Sequence, residues 1–188
     1  MNLHLLFKEQ QLLRDKIAYD NPDRFEKLIL ALLVELGECA NEWRGFKFWS
    51  KDQKSRTSQE IDCPDCNRYD THMCCTCQGH GTIELGPGNP LLEEYVDGLH
   101  FVLELGIEQG ITKMEYKGLR VNDGVANQFL NIYHLVIQHD EMRTEYSLLV
   151  LIQYYLGLGQ MLGFTWEQIE QAYLEKNAIN HERQEQGY

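Results

Sequence analysis

Apolar residues recur at helical spacing over most of the chain. Phe25, Leu28, Ile29, Leu32, Leu36 and Cys39 fall on one stripe, which predicts a helix with a buried face. Asn21-Pro22-Asp23 is expected to start it, with proline near the first turn. An earlier helix is expected from about Leu3 to Tyr19. The stretch from Trp43 to Trp49 is aromatic and basic, and Gly45 is expected to end the second helix. The pattern then breaks. Lys51 to Gln59 is polar, cysteines follow, and then Gly79, Gly81, Gly86, Pro87 and Gly88. Residues 51–89 therefore read as an insertion between helices, without a core of their own. Helix resumes at Asn89-Pro90, a cap followed by proline. Leu92, Val96, Leu99 and Leu103 are expected to line its apolar side. Glu93, Glu94, Asp97, His100 and Glu104 would lie on or beside the other. Two more apolar helices are predicted around 125–139 and 142–161. The last starts at Thr165, where Gln168 completes a capping-box pattern, and runs to about Gln186. No run has strand period, so the expected class is all-α in a single domain, residues 1–188.

Composition narrows the function more than the fold. The chain has 188 residues, 43% hydrophobic and 24% charged, which suits one globular domain. A net charge of −12 argues against non-specific nucleic-acid or membrane binding, because anionic surfaces repel. It leaves a nucleotide substrate open, since a bound cation inverts the local field. The N-terminus lacks the basic flank and cleavage site of a signal peptide, and no window approaches the roughly 18 apolar residues of a spanning helix. A cytoplasmic protein is expected.

Two acidic pairs stand out, Glu35/Glu38 and Glu94/Asp97. Spacing of three puts both carboxylates of a pair on one helical face. Glu35 borders the apolar stripe, where an unneutralised carboxylate is costly. Glu38 and Glu42 lie one step further round. Converging from two packed helices, the four carboxylates would make a hard-oxygen site suited to Mg²⁺ and hence to phosphate chains. A solvated helix face is the plainer alternative. The last helix carries Lys176, Asn180 and Arg183 at i, i+4 and i+7, one stripe that could hold phosphate oxygens. Its alternative is a mixed-charge surface paired to Glu175 or Glu182.

Five of six cysteines fall between Cys63 and Cys77. Cys63-Pro-Asp-Cys66 and Cys74-Cys-Thr-Cys77 are two CxxC pairs, and Cys74 to Gly81 reads CxxCxGxG, similar to a zinc-ribbon knuckle. In a reducing compartment this favours a structural Zn²⁺ on Cys63, Cys66, Cys74 and Cys77. Cys75 or His72 could substitute in the set, and a reduced, metal-free loop is the alternative. Cys39 lies on the apolar stripe as a core residue.

Glu35-Leu-Gly-Glu38 followed by Glu94-Tyr-Val-Asp97 resembles the ExxE…ExxD signature of the all-α, MazG-like nucleoside triphosphate pyrophosphatases. The flanking text, ELGECANEWRGFKFW from Glu35, LEEYVDGLHF from Leu92 and YLEKNAINHERQEQGY from Tyr173, is similar to the dimeric dUTPases of Gram-positive bacteria and their phages. The resemblance implies a MazG-like four-helix-bundle core with extra helices and the Cys-rich insertion. It implies a homodimer that hydrolyses dUTP, and also dUDP, to dUMP with two or three Mg²⁺. Glu35, Glu38, Glu94 and Asp97 match the Mg²⁺ ligands, with Glu35 the candidate base for the attacking water. Lys176, Asn180, Arg183 and Tyr188 match the phosphate-binding segment, Gln10 a position associated with uracil recognition, and Trp49 and Lys51 an aromatic-basic patch near the pocket. Arg14 departs from the Asp or Asn that the family often has there. His100 either faces the nucleotide or is a hydrogen-bonded helix histidine. Two other readings stand beside this one. The first is a broader pyrophosphatase acting on dCTP or damaged nucleotides. The second is a non-enzymatic zinc-knuckle interaction module.

Overall fold

The computed structural model describes residues 3–66, 74–84, 88–113 and 118–187. Among them are six helices: α1 (Leu3–Ile17), α2 (Arg24–Trp43), α3 (Pro90–Glu108), α4 (Val125–Met142), α5 (Glu145–Met161) and α6 (Trp166–Glu185). Their ends follow local chemistry. Asn89 accepts a hydrogen bond from the Leu92 N–H, with Pro90 in the first turn, and Thr165 and Gln168 form a reciprocal capping box. Thr144 and Ser147 do the same for α5, so that helix starts later than its apolar run suggests. The predicted stop at Gly45 falls one residue early: Arg44 takes the left-handed conformation, and its N–H bonds to the Ala40 carbonyl. The Arg44 side chain donates to the Asp52 carbonyl at 2.8 Å, which offsets the cost of positive φ in a non-glycine residue.

α2 packs on α3 and α4, and α5 packs on the same two helices, so these four close a ring around the core. α1 and α6 pack on each other and on α3. This arrangement changes the expected two-sided α3. Packed on by α1, α2, α5 and α6, it is buried nearly all round, and His100 and Glu104 lie inside with partners. The α2 stripe is buried as its period requires, with Leu32 and Leu36 fully enclosed. Each such leucine contributes roughly 1.5–3 kcal/mol. At Gly98 a Cβ would stand 2.2 Å from the Tyr155 hydroxyl, so only glycine lets α5 seat there. Tyr155 donates to the Tyr95 carbonyl at 2.7 Å, and Tyr95 donates back to the Tyr155 carbonyl at 3.3 Å.

The segment between α2 and α3 holds strand that no sequence period announces. β1 (Glu60–Asp62) and β2 (Thr82–Glu84) pair antiparallel, with Ile61 opposite Ile83. Three-residue strands are too short to show alternation, and this pair closes the base of the cysteine loop. Among the described residues no single helix is long and apolar enough to cross a membrane.

Candidate active site

Glu35 and Glu38 on α2 meet Glu94 on α3. One carboxylate oxygen from each lies within 4.8 Å of the other two. A Cβ at Gly98 would rest in ordinary contact with the Glu35 Cβ, at 3.5 Å, so glycine is required there by Tyr155 and not by the carboxylate helix. Burial, then Asp97 and Glu38, push the Glu35 carboxyl up to about 7. Burial and the same acidic neighbours bring Glu94 up to about 7. Such a set lacks positive charge, and a divalent cation with oxygen coordination is the group it fits. Asp97, the fourth expected ligand, has Oδ2 held by Lys176 Nζ at 2.6 Å, and Lys176 also bonds Glu93 at 2.9 Å. Burial raises Asp97, and Lys176 opposes that rise.

A cavity of about 440 Å³ opens on one side of the carboxylates. Leu13, Ile17, Leu28 and Phe101 make its apolar wall, and Asn180 and Arg183 reach it from α6. Gln10, His100 and Glu104 also line it and are tied together. Gln10 Nε2 donates to Glu104 Oε2 at 2.9 Å, so Gln10 Oε1 faces the Tyr173 hydroxyl at 2.6 Å and His100 Nδ1 at 2.7 Å. An amide oxygen only accepts, so His100 Nδ1 carries the proton. The His100 ring stacks on Tyr173 at 4.0 Å, and burial, with Lys176 nearby, pulls its pKa down to about 3. His100 is thus a neutral, hydrogen-bonded helix histidine that also lines the cavity. Arg14 donates to Glu104 at 2.9 Å and also pairs with Glu108. Its partner Glu104 lies 90 residues away in sequence, which no local pattern reveals.

On the other side of the carboxylates lies a polar cavity of about 910 Å³. Glu94 and Glu42 form its helical wall, and a strap over residues 52–60 forms the rest. The sequence reading saw this strap only as polar. Trp49 is exposed, with its ring edge against Phe46 and Phe48, and Lys51 is exposed. Neither lines these two cavities. Tyr188 and His72 lie outside the described residues.

Cys63, Cys66, Cys74 and Cys77 converge, with all four sulfurs within 4.8 Å of one another. Cys63–Cys74 and Cys66–Cys77 are each 3.6 Å apart. Sulfurs around a tetrahedral Zn²⁺ stand about 3.8 Å apart, from Zn–S bonds of about 2.3 Å. The Gly81 N–H donates to Cys77 Sγ at 3.2 Å. Burial opposes ionisation there, but hydrogen bonds led by the Gly81 N–H bring the Cys77 thiol down to about 6. Cys75 is exposed, away from that role.

A family model described as dUTPase matches residues 2–66 and 84–188, and its gap falls within the cysteine loop. Comparison with curated proteins and with solved structures finds no match. The match spans both carboxylate helices, the α1 network and all of α6, which carries the phosphate-binding candidates. The chain therefore belongs to the dUTPase family in its all-α form, and it is a dUTP diphosphatase.

Proposed function

We propose that the enzyme converts dUTP, and also dUDP, to dUMP in an Mg²⁺-dependent reaction at Glu35, Glu38, Glu94 and Asp97. The observation that carries this reading is the meeting of Glu35, Glu38 and Glu94 oxygens from two helices. Magnesium bound there supplies charge neutralisation at the phosphate oxygens and at the departing group. The protein's own groups do the rest. The apolar cavity beside His100 takes the nucleoside, and its wall excludes water. Glu35, more enclosed than the exposed Glu38, takes the proton of the attacking water. That water adds to a phosphorus of the α–β bridge, the P–O–P bond breaks, and dUMP parts from pyrophosphate, or from phosphate when dUDP is the substrate. Asn180 and Arg183 line the same apolar cavity from α6 and are assigned to the α-phosphate, at the nucleoside end of the chain. Lys176 releases Asp97 when a cation competes for that carboxylate.

The cysteine set is proposed to hold one structural Zn²⁺, on the match between its sulfur spacing and tetrahedral thiolate geometry. A homodimer is supported by exposed apolar residues on the neighbouring helices α2 and α4, Leu30, Val34, Leu130 and Ile137.

A panel of nucleoside di- and triphosphates with and without Mg²⁺ tests the proposal. Pyrophosphate release from dUTP, phosphate release from dUDP and loss of both with chelator are expected. Glu38→Gln should abolish turnover with helicity retained. Full turnover in chelator, or in Glu38→Gln, would overturn the metal assignment. Comparable turnover of dCTP would support the broader pyrophosphatase instead.

A further inference from the structure

The two cavities and the carboxylates lie in a line. Leu28 and Ala31 of α2, with His100, Phe101 and Glu104 of α3, wall the apolar cavity. Glu35, Glu38 and Glu94 meet beyond it. Glu42 of α2, with Pro90 and Glu94 of α3, wall the polar cavity at the far end. From Ala31 to Glu42 an α-helix rises about 16 Å at 1.5 Å per residue. That suits a nucleoside triphosphate laid at full stretch, with its apolar base at one end and its terminal phosphates at the other.

The strap that closes the far end is tied down on both sides. Ser55 Oγ donates to the Trp43 carbonyl at 3.1 Å. The Arg56 N–H donates to the Glu42 carbonyl at 3.0 Å, and the Arg56 carbonyl accepts from the Leu91 N–H at 3.0 Å. The strap therefore bridges the end of α2 and the start of α3, irregular up to Gln59 and entering β1 at Glu60. It brings Lys54 and Arg56, the cations of this wall, in among hydroxyls, carboxylates and the Gln59 amide. Arg56 Nη1 stands 3.4 Å from Glu42 Oε1, a long contact that leaves most guanidinium donors for another acceptor. In a chain of net charge −12, a polyanion held beyond the metal site needs such cations.

We propose that the polar cavity under the 52–60 strap is the subsite for the β- and γ-phosphates of dUTP, and so for the leaving pyrophosphate, with Lys54 and Arg56 as its cationic contacts. This rests on the dUTP reading above and adds the direction in which substrate lies. Water oxygen bonds to a phosphorus of the α–β bridge, the P–O bond of that bridge breaks, and the freed pyrophosphate departs through the strap cavity.

The test uses the full chain with Mg²⁺ and two probes, inorganic pyrophosphate and dUMP, each measured by calorimetry and as a product inhibitor. Lys54→Met/Arg56→Met should bind pyrophosphate about tenfold more weakly or worse, as loss of charge-assisted contacts implies. Its dUMP affinity should stay within about twofold, and Arg56→Lys should recover part of the loss. The single variants, checked by circular dichroism, serve if the double variant misfolds. Unchanged pyrophosphate binding would overturn the subsite, as would equal weakening of both probes, which means the strap only shapes the fold. Failure of the wild type to hydrolyse dUTP would instead overturn the underlying reading, which is a separate measurement.

Discussion

Replacing Glu35 by glutamine should make the metal-free enzyme more stable at alkaline pH, the reverse of the usual effect of losing a charged contact. Glu35 and Glu94 are both displaced from an ordinary 4.5 to about 7, chiefly by burial and then by neighbouring carboxylates. An acid whose folded pKa is raised adds stability below its unfolded pKa, and that contribution is lost as pH rises from about 4.5 through 7. A displacement of this size corresponds to about 3 kcal/mol per group before screening. Both side chains are only half enclosed, so solvent reduces this to about 1.5 kcal/mol for Glu35. For a chain of this size that amounts to about 3–6 °C in Tm. The assay is thermal unfolding of wild type and Glu35→Gln in chelator between pH 5 and 8.5. The two should coincide near pH 5, and the variant should lead above pH 7. Excess Mg²⁺ should reverse the order, because only the intact carboxylate set gains binding free energy. A variant less stable than wild type at pH 8 in chelator, or a difference independent of pH, would refute the electrostatic reasoning.

Gly98→Ala should lower stability by about 1–3 kcal/mol, because the new methyl enters the space of the buried Tyr155 hydroxyl. Thermal unfolding of the variant reads that loss directly. Lys176→Met should destabilise the metal-free protein by about 1–2 kcal/mol, leaving partly buried Asp97 without its cation. Denaturant titration with and without Mg²⁺ should show the loss shrinking when metal is present. Metal analysis should find about one zinc per chain, and Cys74→Ser should lose it; zinc retained in that variant would remove Cys74 from the ligand set.

Much of this was legible along the chain because it is local. Helical period placed the α2 stripe, Asn89-Pro90 and Thr165/Gln168 marked real helix starts, and spacing of three put each acidic pair on one face. The CxxC pairs announced the sulfur cluster for the same reason, since each pair is a single turn. The sequence resemblance and the family match agree on the enzyme.

The three-dimensional arrangement settled everything that depends on distant neighbours. α3 has a readable apolar side, yet it is enclosed almost all round, because four helices pack on it and no periodicity counts neighbours. Lys176, a phosphate-binding candidate by resemblance, pairs with Asp97 and Glu93 across helices, a contact made by the approach of α6 to α3 that no local pattern announces. Gln10, His100, Glu104 and Tyr173 form one network only because three helices bring their short-range hydrogen bonds together. The strap beyond Trp43 looked like polar filler until backbone bonds to Glu42 and Leu91 fixed it over the carboxylates. Residue type and spacing decide what chemistry a side chain can perform; the packing of helices decides which partner claims it, because hydrogen bonds and ion pairs reach only a few ångströms.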